Sequence, residues 1–164
     1  MKQNVNFKGV FLYHGSDTKV ELPSIEKCSN HRDFGRSFYM TYNKGAAADW
    51  ARKVDKNSAT VNKFAITLEK TSESLNVKRF RADEEWARFV YNNRYVENFK
   101  RPDYDIVIGP IADNGLAEVF SEVDEGRIDF KTAAARIKFH KFHDLQYAFC
   151  TERSLNLLKW MGRE

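Results

Sequence analysis

Ile106-Val107-Ile108, running directly into Gly109-Pro110, constrains the fold of this chain more than any other segment. Residues apolar at consecutive positions leave no face for water. They predict a central strand over 105–111, covered on both sides and therefore set in a layered architecture. Shorter signals surround it. Val10, Leu12 and His14 alternate with Phe11 and Tyr13, and Phe64, Ile66 and Leu68 alternate with Lys63, Ala65, Thr67 and Glu69, the pattern of strands with one buried face. Further strands are predicted over 75–80 and 145–150. Helical spacing appears in Lys44–Val54 (Ala46, Ala47, Trp50, Ala51, Val54) and in 83–93, where Asp83 can cap and Trp86, Phe89 and Val90 share a face. It recurs through Leu116, Val119, Phe120 and Val123, through 130–139, and in a terminal helix carrying Leu155, Leu158 and Met161. Strands and helices do not alternate regularly, so the expected class is α+β rather than a doubly wound sheet. At 164 residues without a linker or repeat, residues 1–164 are expected to form a single domain.

Composition narrows the function classes. A formal charge of +4 favours polyanionic partners such as dinucleotides or nucleic acid, and 13 Phe, 7 Tyr and 3 Trp supply faces on which a nicotinamide or nucleobase stacks. Cys28 and Cys150 are far apart in the chain, so neither a disulfide framework nor a zinc ribbon is expected, and a reducing compartment fits. The first residues form no apolar signal region and no run is long enough to span a membrane, so a cytoplasmic location without membrane attachment is expected.

Several side chains carry chemistry. The opening strand delivers His14 at its end, where Gly15 lets the backbone approach a ligand. The polar stretch 16–32, with Leu22-Pro23, reads as a loop over that site. On the last strand, alternation sets Asp144, Gln146, Ala148 and Cys150 on one face, polar and then small, as a ligand cleft requires. Arg32 and Arg36 flank the Phe34-Gly35 turn. His140 and His143 are the one hint of a metal site; with no third and fourth ligand at recognisable spacing, no metal is expected. There is no phosphate-cradling glycine loop and no dinucleotide fingerprint.

Leu12-Tyr13-His14-Gly15 followed by Phe34-Gly35-Arg36-Ser37-Phe38-Tyr39-Met40-Thr41 resembles the first two signatures of the ADP-ribosyltransferase superfamily in its His-Tyr branch. With the alanine-rich helix containing Trp50, Tyr104 to Ala112 and Gln146-Tyr147-Ala148-Phe149, nearly the whole chain resembles a small bacterial family of single-domain proteins distantly grouped with those transferases. The resemblance implies a split mixed and antiparallel sheet with flanking helices. It implies NAD as co-substrate: His14 on the adenosine ribose, the Gly15 backbone on the nicotinamide amide, Tyr39 stacked on the ring, Thr41 on a ribose or amide group, and Arg32 or Arg36 on the pyrophosphate, since guanidinium groups suit paired oxyanions. The superfamily's third element is a glutamate that bonds the nicotinamide ribose. Gln146 matches its position, so His14-Tyr39-Gln146 replaces the His-Tyr-Glu set. Arg36-Ser37 also stand where a second glycine follows Gly35 in the family.

A neutral amide can accept the ribose hydrogen bond but adds no negative charge beside a developing cation. That disfavours chain-forming activity and leaves mono-ADP-ribosyl transfer, with Asp144 as base or acceptor clamp. The resemblance thus implies an intracellular bacterial mono-ADP-ribosyltransferase of toxin or phage-defence type, acting on a macromolecular acceptor, protein or nucleic acid, and leaves room for an antitoxin partner protein. The competing expectations are a catalytically silent NAD or ADP-ribose binding module, which Gln146 keeps open, and a nucleic-acid-binding protein built on the basic stretches.

Overall fold

The computed structural model describes residues 9–67, 75–112, 115–138 and 144–164. In chain order these form β1 (Phe11–Ser16), β2 (Phe38–Met40), α1 (Lys44–Val54), β3 (Thr60–Ile66), β4 (Val77–Arg79), α2 (Glu84–Tyr95), β5 (Ile106–Pro110), α3 (Leu116–Asp124), α4 (Phe130–Ile137), β6 (Leu145–Phe149), α5 (Glu152–Leu155) and β7 (Leu158–Arg163), with a single 3-10 turn at Ile25–Lys27. The class is α+β, as the irregular order of strand and helix signals predicts.

The strands fall into two sheets, β1-β3-β7 and β2-β6-β5-β4. The first is antiparallel throughout; in the second only β4 runs parallel to its neighbour β5. One isolated antiparallel bridge, Tyr13 to Thr41, joins them.

Side-chain alternation explains how the layers form. Ile106 and Ile108 of β5 join Leu12, Phe38, Met40, Phe64 and Phe149 in a buried cluster drawn from both sheets. Val107 points the other way, into a second cluster with Ala148 and the inward faces of α2, α3 and α4, including Trp86, Val90, Val119, Phe120 and Ile137. The apolar run of β5 is thus covered on both faces, each claiming alternate side chains. Asp105, just before β5, accepts from the Asn76 N–H (2.8 Å), the Thr151 hydroxyl (2.8 Å) and the Arg153 guanidinium. Burial alone would raise its carboxyl, but these hydrogen bonds outweigh it and leave the group below its ordinary value.

Helix α1 packs on β1 at close range. A Cβ on Gly15 would lie 2.0 Å from the Ala47 carbonyl oxygen, so this glycine is what lets the helix seat on the strand. Asn43 begins α1 by accepting the Ala46 N–H through its side chain (3.1 Å). At the other edge, Glu164 accepts from Lys44 of α1 (2.7 Å) and Lys63 of β3 (2.8 Å), and these two cations hold its carboxyl down to about 2. A depressed carboxyl stabilises the fold above its unfolded value and stops doing so as pH falls through its folded one. The melting temperature of wild type is therefore expected to exceed that of Glu164→Gln by a margin that shrinks below pH 4 and disappears near pH 2. A margin constant from pH 7 to 2 would show that the two lysines do not hold the carboxylate.

One element departs from expectation. Leu155, Leu158 and Met161 do not share a helix: α5 ends at Leu155, and Leu158–Arg163 is strand β7, paired with β3 from Leu158 opposite Ile66 to Arg163 opposite Asn62. Leu158 and Trp160 face the core, and Met161 is exposed. Of the predicted segments, residues 68–69 of the strand that begins at Lys63 and Phe139 at the end of the fourth helix lie outside the described residues.

Candidate active site

The junction of the two sheets builds the site. Tyr13 and Thr41 exchange both backbone hydrogen bonds, N–H of Tyr13 to O of Thr41 at 2.7 Å and the reverse at 3.0 Å. Tyr13 thus turns its polar backbone toward β2. Strand alternation then gives the backbone of His14 to β3 and turns that of Gly15 to the β2 side again. The opposite residue confirms it: Val61, paired with Gly15, spends its carbonyl on Glu164 beyond β7 (2.9 Å) rather than on β1. Continued in register, Gly15 would face Tyr39, yet the ladder stops at the Tyr13–Thr41 bridge. The Tyr39 carbonyl is bound instead by His14 Nδ1, at 2.7 Å. The bridge pattern between β1 and β2 ends there, and alternation directs the N–H and C=O of Gly15, a buried residue, to the β2 side.

That contact also fixes the imidazole. A carbonyl only accepts, so Nδ1 carries the proton and Nε2 is left as an acceptor. Burial lowers the His14 pKa, partly opposed by the Tyr39 bond, so the ring is neutral at pH 7. Phe38 packs 4.2 Å from it, centroid to centroid.

Tyr39 is half-buried, and its hydroxyl is committed to the turn before it: it accepts the Phe34 N–H (2.9 Å) and donates to the Gly35 carbonyl (2.7 Å). Burial, with Asp33 nearby, pushes that hydroxyl well above its ordinary value, so it is no base. Gly35 has a φ of 79°, and a Cβ there would approach Asn93 Oδ1 to 2.7 Å, so the turn requires glycine although Arg36-Ser37 follow it. Arg101 pins the loop through the Phe34 carbonyl and Ser37 Oγ (2.9 Å).

Gln146, on β6, donates through Nε2 to Asp33 Oδ2 (2.8 Å) and to the Pro110 carbonyl (3.0 Å). Both partners are acceptors, which fixes the orientation of the amide and leaves Oε1 without a partner among the described residues. Asp33 is itself held by Arg94 of α2, Nε at 2.6 Å and Nη2 at 2.5 Å, and is only 6% exposed.

The remaining candidates make contacts within the fold. Asp144 is 7% exposed and its carboxylate accepts from Asn43 Nδ2 (2.7 Å) and from the Tyr42 hydroxyl, tying β6 to the start of α1. Those two donors make Asp144 a tie between elements and leave further lone pairs on its carboxylate. Thr41 is buried, its hydroxyl accepting the Asn43 N–H (3.1 Å). Arg32 lies over the ring of Trp50, 5.3 Å from its centroid, and Trp50 remains 45% exposed. Arg36 is exposed and bonds Asn30 (2.9 Å). His140 and His143 lie outside the described residues, and among those described no group of three His, Cys, Asp or Glu could hold a metal ion. Among the described residues no helix is long and apolar enough to cross a membrane.

Sequence reasoning missed Asp33, Arg94 and Arg101 as parts of the site; each acts across 61 or more residues, a distance that no local pattern reports. A family model described as "Protein of unknown function (DUF3990)" matches residues 10–160. No curated protein and no solved structure matches the chain.

Proposed function

The chain belongs to the DUF3990 family, and from the chemistry at the end of the β1–β2 pairing we propose that it is an NAD-dependent mono-ADP-ribosyltransferase. One observation carries the reading: the β1–β2 pairing ends at the Tyr13–Thr41 bridge, and alternation directs the N–H and C=O of Gly15 side by side to the β2 side beyond it. A primary carboxamide, with one acceptor oxygen and an NH₂, completes that pair as a neighbouring strand would. Nicotinamide carries such a group. His14 Nε2 accepts a ribose hydroxyl, and the free Gln146 Oε1 accepts another.

In the reaction the bond between the ribose C1′ and the nicotinamide nitrogen breaks, and its electron pair neutralises the ring. The acceptor's lone pair forms the new bond to C1′, and the acceptor's proton passes to solvent water. Gln146 orients the ribose and polarises its hydroxyl; it adds no charge to the cationic transition state. Transfer to a macromolecule, in a toxin or defence effector of the bacterial cytoplasm, follows from the same resemblance. The neutrality of Gln146 favours one second reading, a module that binds NAD or ADP-ribose without turnover.

Nicotinamide and NAD are each expected to raise the melting temperature of the purified protein, since both bind the folded state alone. His14→Ala should weaken NAD about tenfold, the worth of one hydrogen bond to a buried group, with a smaller effect on nicotinamide. A wild-type protein stabilised by neither ligand would sink the proposal.

A further inference from the structure

Asp33, Arg94 and Gln146 come from a loop, a helix and a strand, yet their side chains form one continuous hydrogen-bonded chain. We infer that Asp33 is a positioning residue that sets the polarity of Gln146, turning the amide so that its carbonyl, and not its NH₂, faces the cleft. The inference rests on the reading of Gln146 as the ribose contact.

A glutamine side chain can be swung by half a turn with little change of shape, exchanging donor for acceptor. Two acceptors, Asp33 Oδ2 and the Pro110 carbonyl, oppose that exchange, because in the swung state Oε1 would meet oxygen at about 3 Å on both sides. Of the two, only Asp33 carries charge, and Arg94 holds it in place with two nitrogens on Oδ1 while Oδ2 is left for Gln146. The carboxylate thus divides its oxygens, one for the cation and one for the amide. No surface pair would behave this way: Asp33 is buried, and the Arg94 side chain is 28% exposed.

The polarity of the pair can be reversed by substitution. In Asp33→Asn, the new amide meets Arg94 best through its oxygen, which turns its NH₂ toward Gln146; Gln146 then swings and shows the cleft a donor. In Asp33→Asn/Gln146→Glu, the NH₂ of residue 33 meets a carboxylate, which has no donor end to misplace, and an acceptor faces the cleft again. Gln146→Glu alone sets two carboxylates and a carbonyl together with no proton among them. That variant should retain stability when one carboxyl is protonated and lose it as pH rises.

Nicotinamide release from NAD and thermal melts at pH 5 and 8 would be measured for wild type, the two single variants and the double variant. Asp33→Asn is expected to slow release about 100-fold; the double variant should return to within tenfold of wild type. Gln146→Glu should melt lower at pH 8 than at pH 5 by about 5 °C or more, a difference the double variant lacks. Additive losses in release, with the double variant worse than either single, would overturn the inference, and so would a melting loss for Gln146→Glu that does not depend on pH. Were wild type itself to release no nicotinamide and gain no stability from NAD, the transferase reading would fall, and with it the effect of Asp33 on that reaction. The melts would still decide by themselves whether Asp33 orients Gln146.

Discussion

Gly15→Ala is expected to destabilise the protein by about 3 kcal/mol, a cost typical of forcing an extra methyl into a closed contact, and to abolish stabilisation by nicotinamide. The added Cβ would sit 2.0 Å from the Ala47 carbonyl oxygen and 3.0 Å from the Ala51 nitrogen, all backbone atoms that no rotamer change can move aside. Either α1 lifts from β1 or β1 shifts toward β2. Both movements disturb the end of the β1–β2 pairing, because α1 begins directly after the segment that carries Thr41 and Asn43. In a chain of this length the melting temperature should fall by about 6–12 °C. Gly115→Ala supplies the control: a Cβ there meets nothing within 4 Å, so its cost should stay below about 1 kcal/mol. Equal melting of Gly15→Ala and wild type, with nicotinamide still stabilising both, would mean that the helix does not seat on this glycine and that the end of the β1–β2 pairing does not depend on it.

Gly15 also shows how sequence and structure divide the explanation. Its role beside His14 was legible as a place for close approach, but the approaching group on its Cα side is the backbone of α1; alternation directs only its N–H and C=O to the β2 side. The twofold cover of β5 followed from three consecutive apolar residues, because burial on both faces leaves no other pattern. The last segment was not legible. Leu155, Leu158 and Met161 fit a helical face, Leu158 and Trp160 fit a strand, and six residues carry too little periodicity to choose. Pairing with β3, about 95 residues earlier, decided it. Asp144 and Gln146 share a strand face by alternation, yet Asp144 precedes the first residue of β6 and its carboxylate went to Asn43 and Tyr42. Asp33 could be read as a turn residue and nothing more, since its partners lie on α2 and β6.

Gln146→Ala is the second change expected to act strongly, lowering transfer of ADP-ribose about 10²–10³-fold while nicotinamide binding stays close to wild type. The separation follows from geometry. The proposed carboxamide site lies at Gly15 on β1, and Gln146 lies on β6, beyond β2, so its side chain is on a different strand from the one proposed to hold the ring. On the proposed reading the substitution removes an acceptor for the ribose hydroxyl, which strengthens as charge builds at C1′ and counts for little in the ground state. Some stability is lost as well, because Asp33 Oδ2 and the Pro110 carbonyl each lose a donor. Arg94 remains on Asp33, so the carboxylate is not stranded, and the fold should survive at 25 °C. Release of labelled nicotinamide and melting with added nicotinamide, measured on the same preparation, separate the two effects. A variant that transfers as well as wild type removes Gln146 from the reaction. A variant that loses nicotinamide stabilisation in parallel with transfer makes Gln146 part of the binding of the ring rather than of the ribose, and the assignment of the cleft must then be redrawn around Asp33.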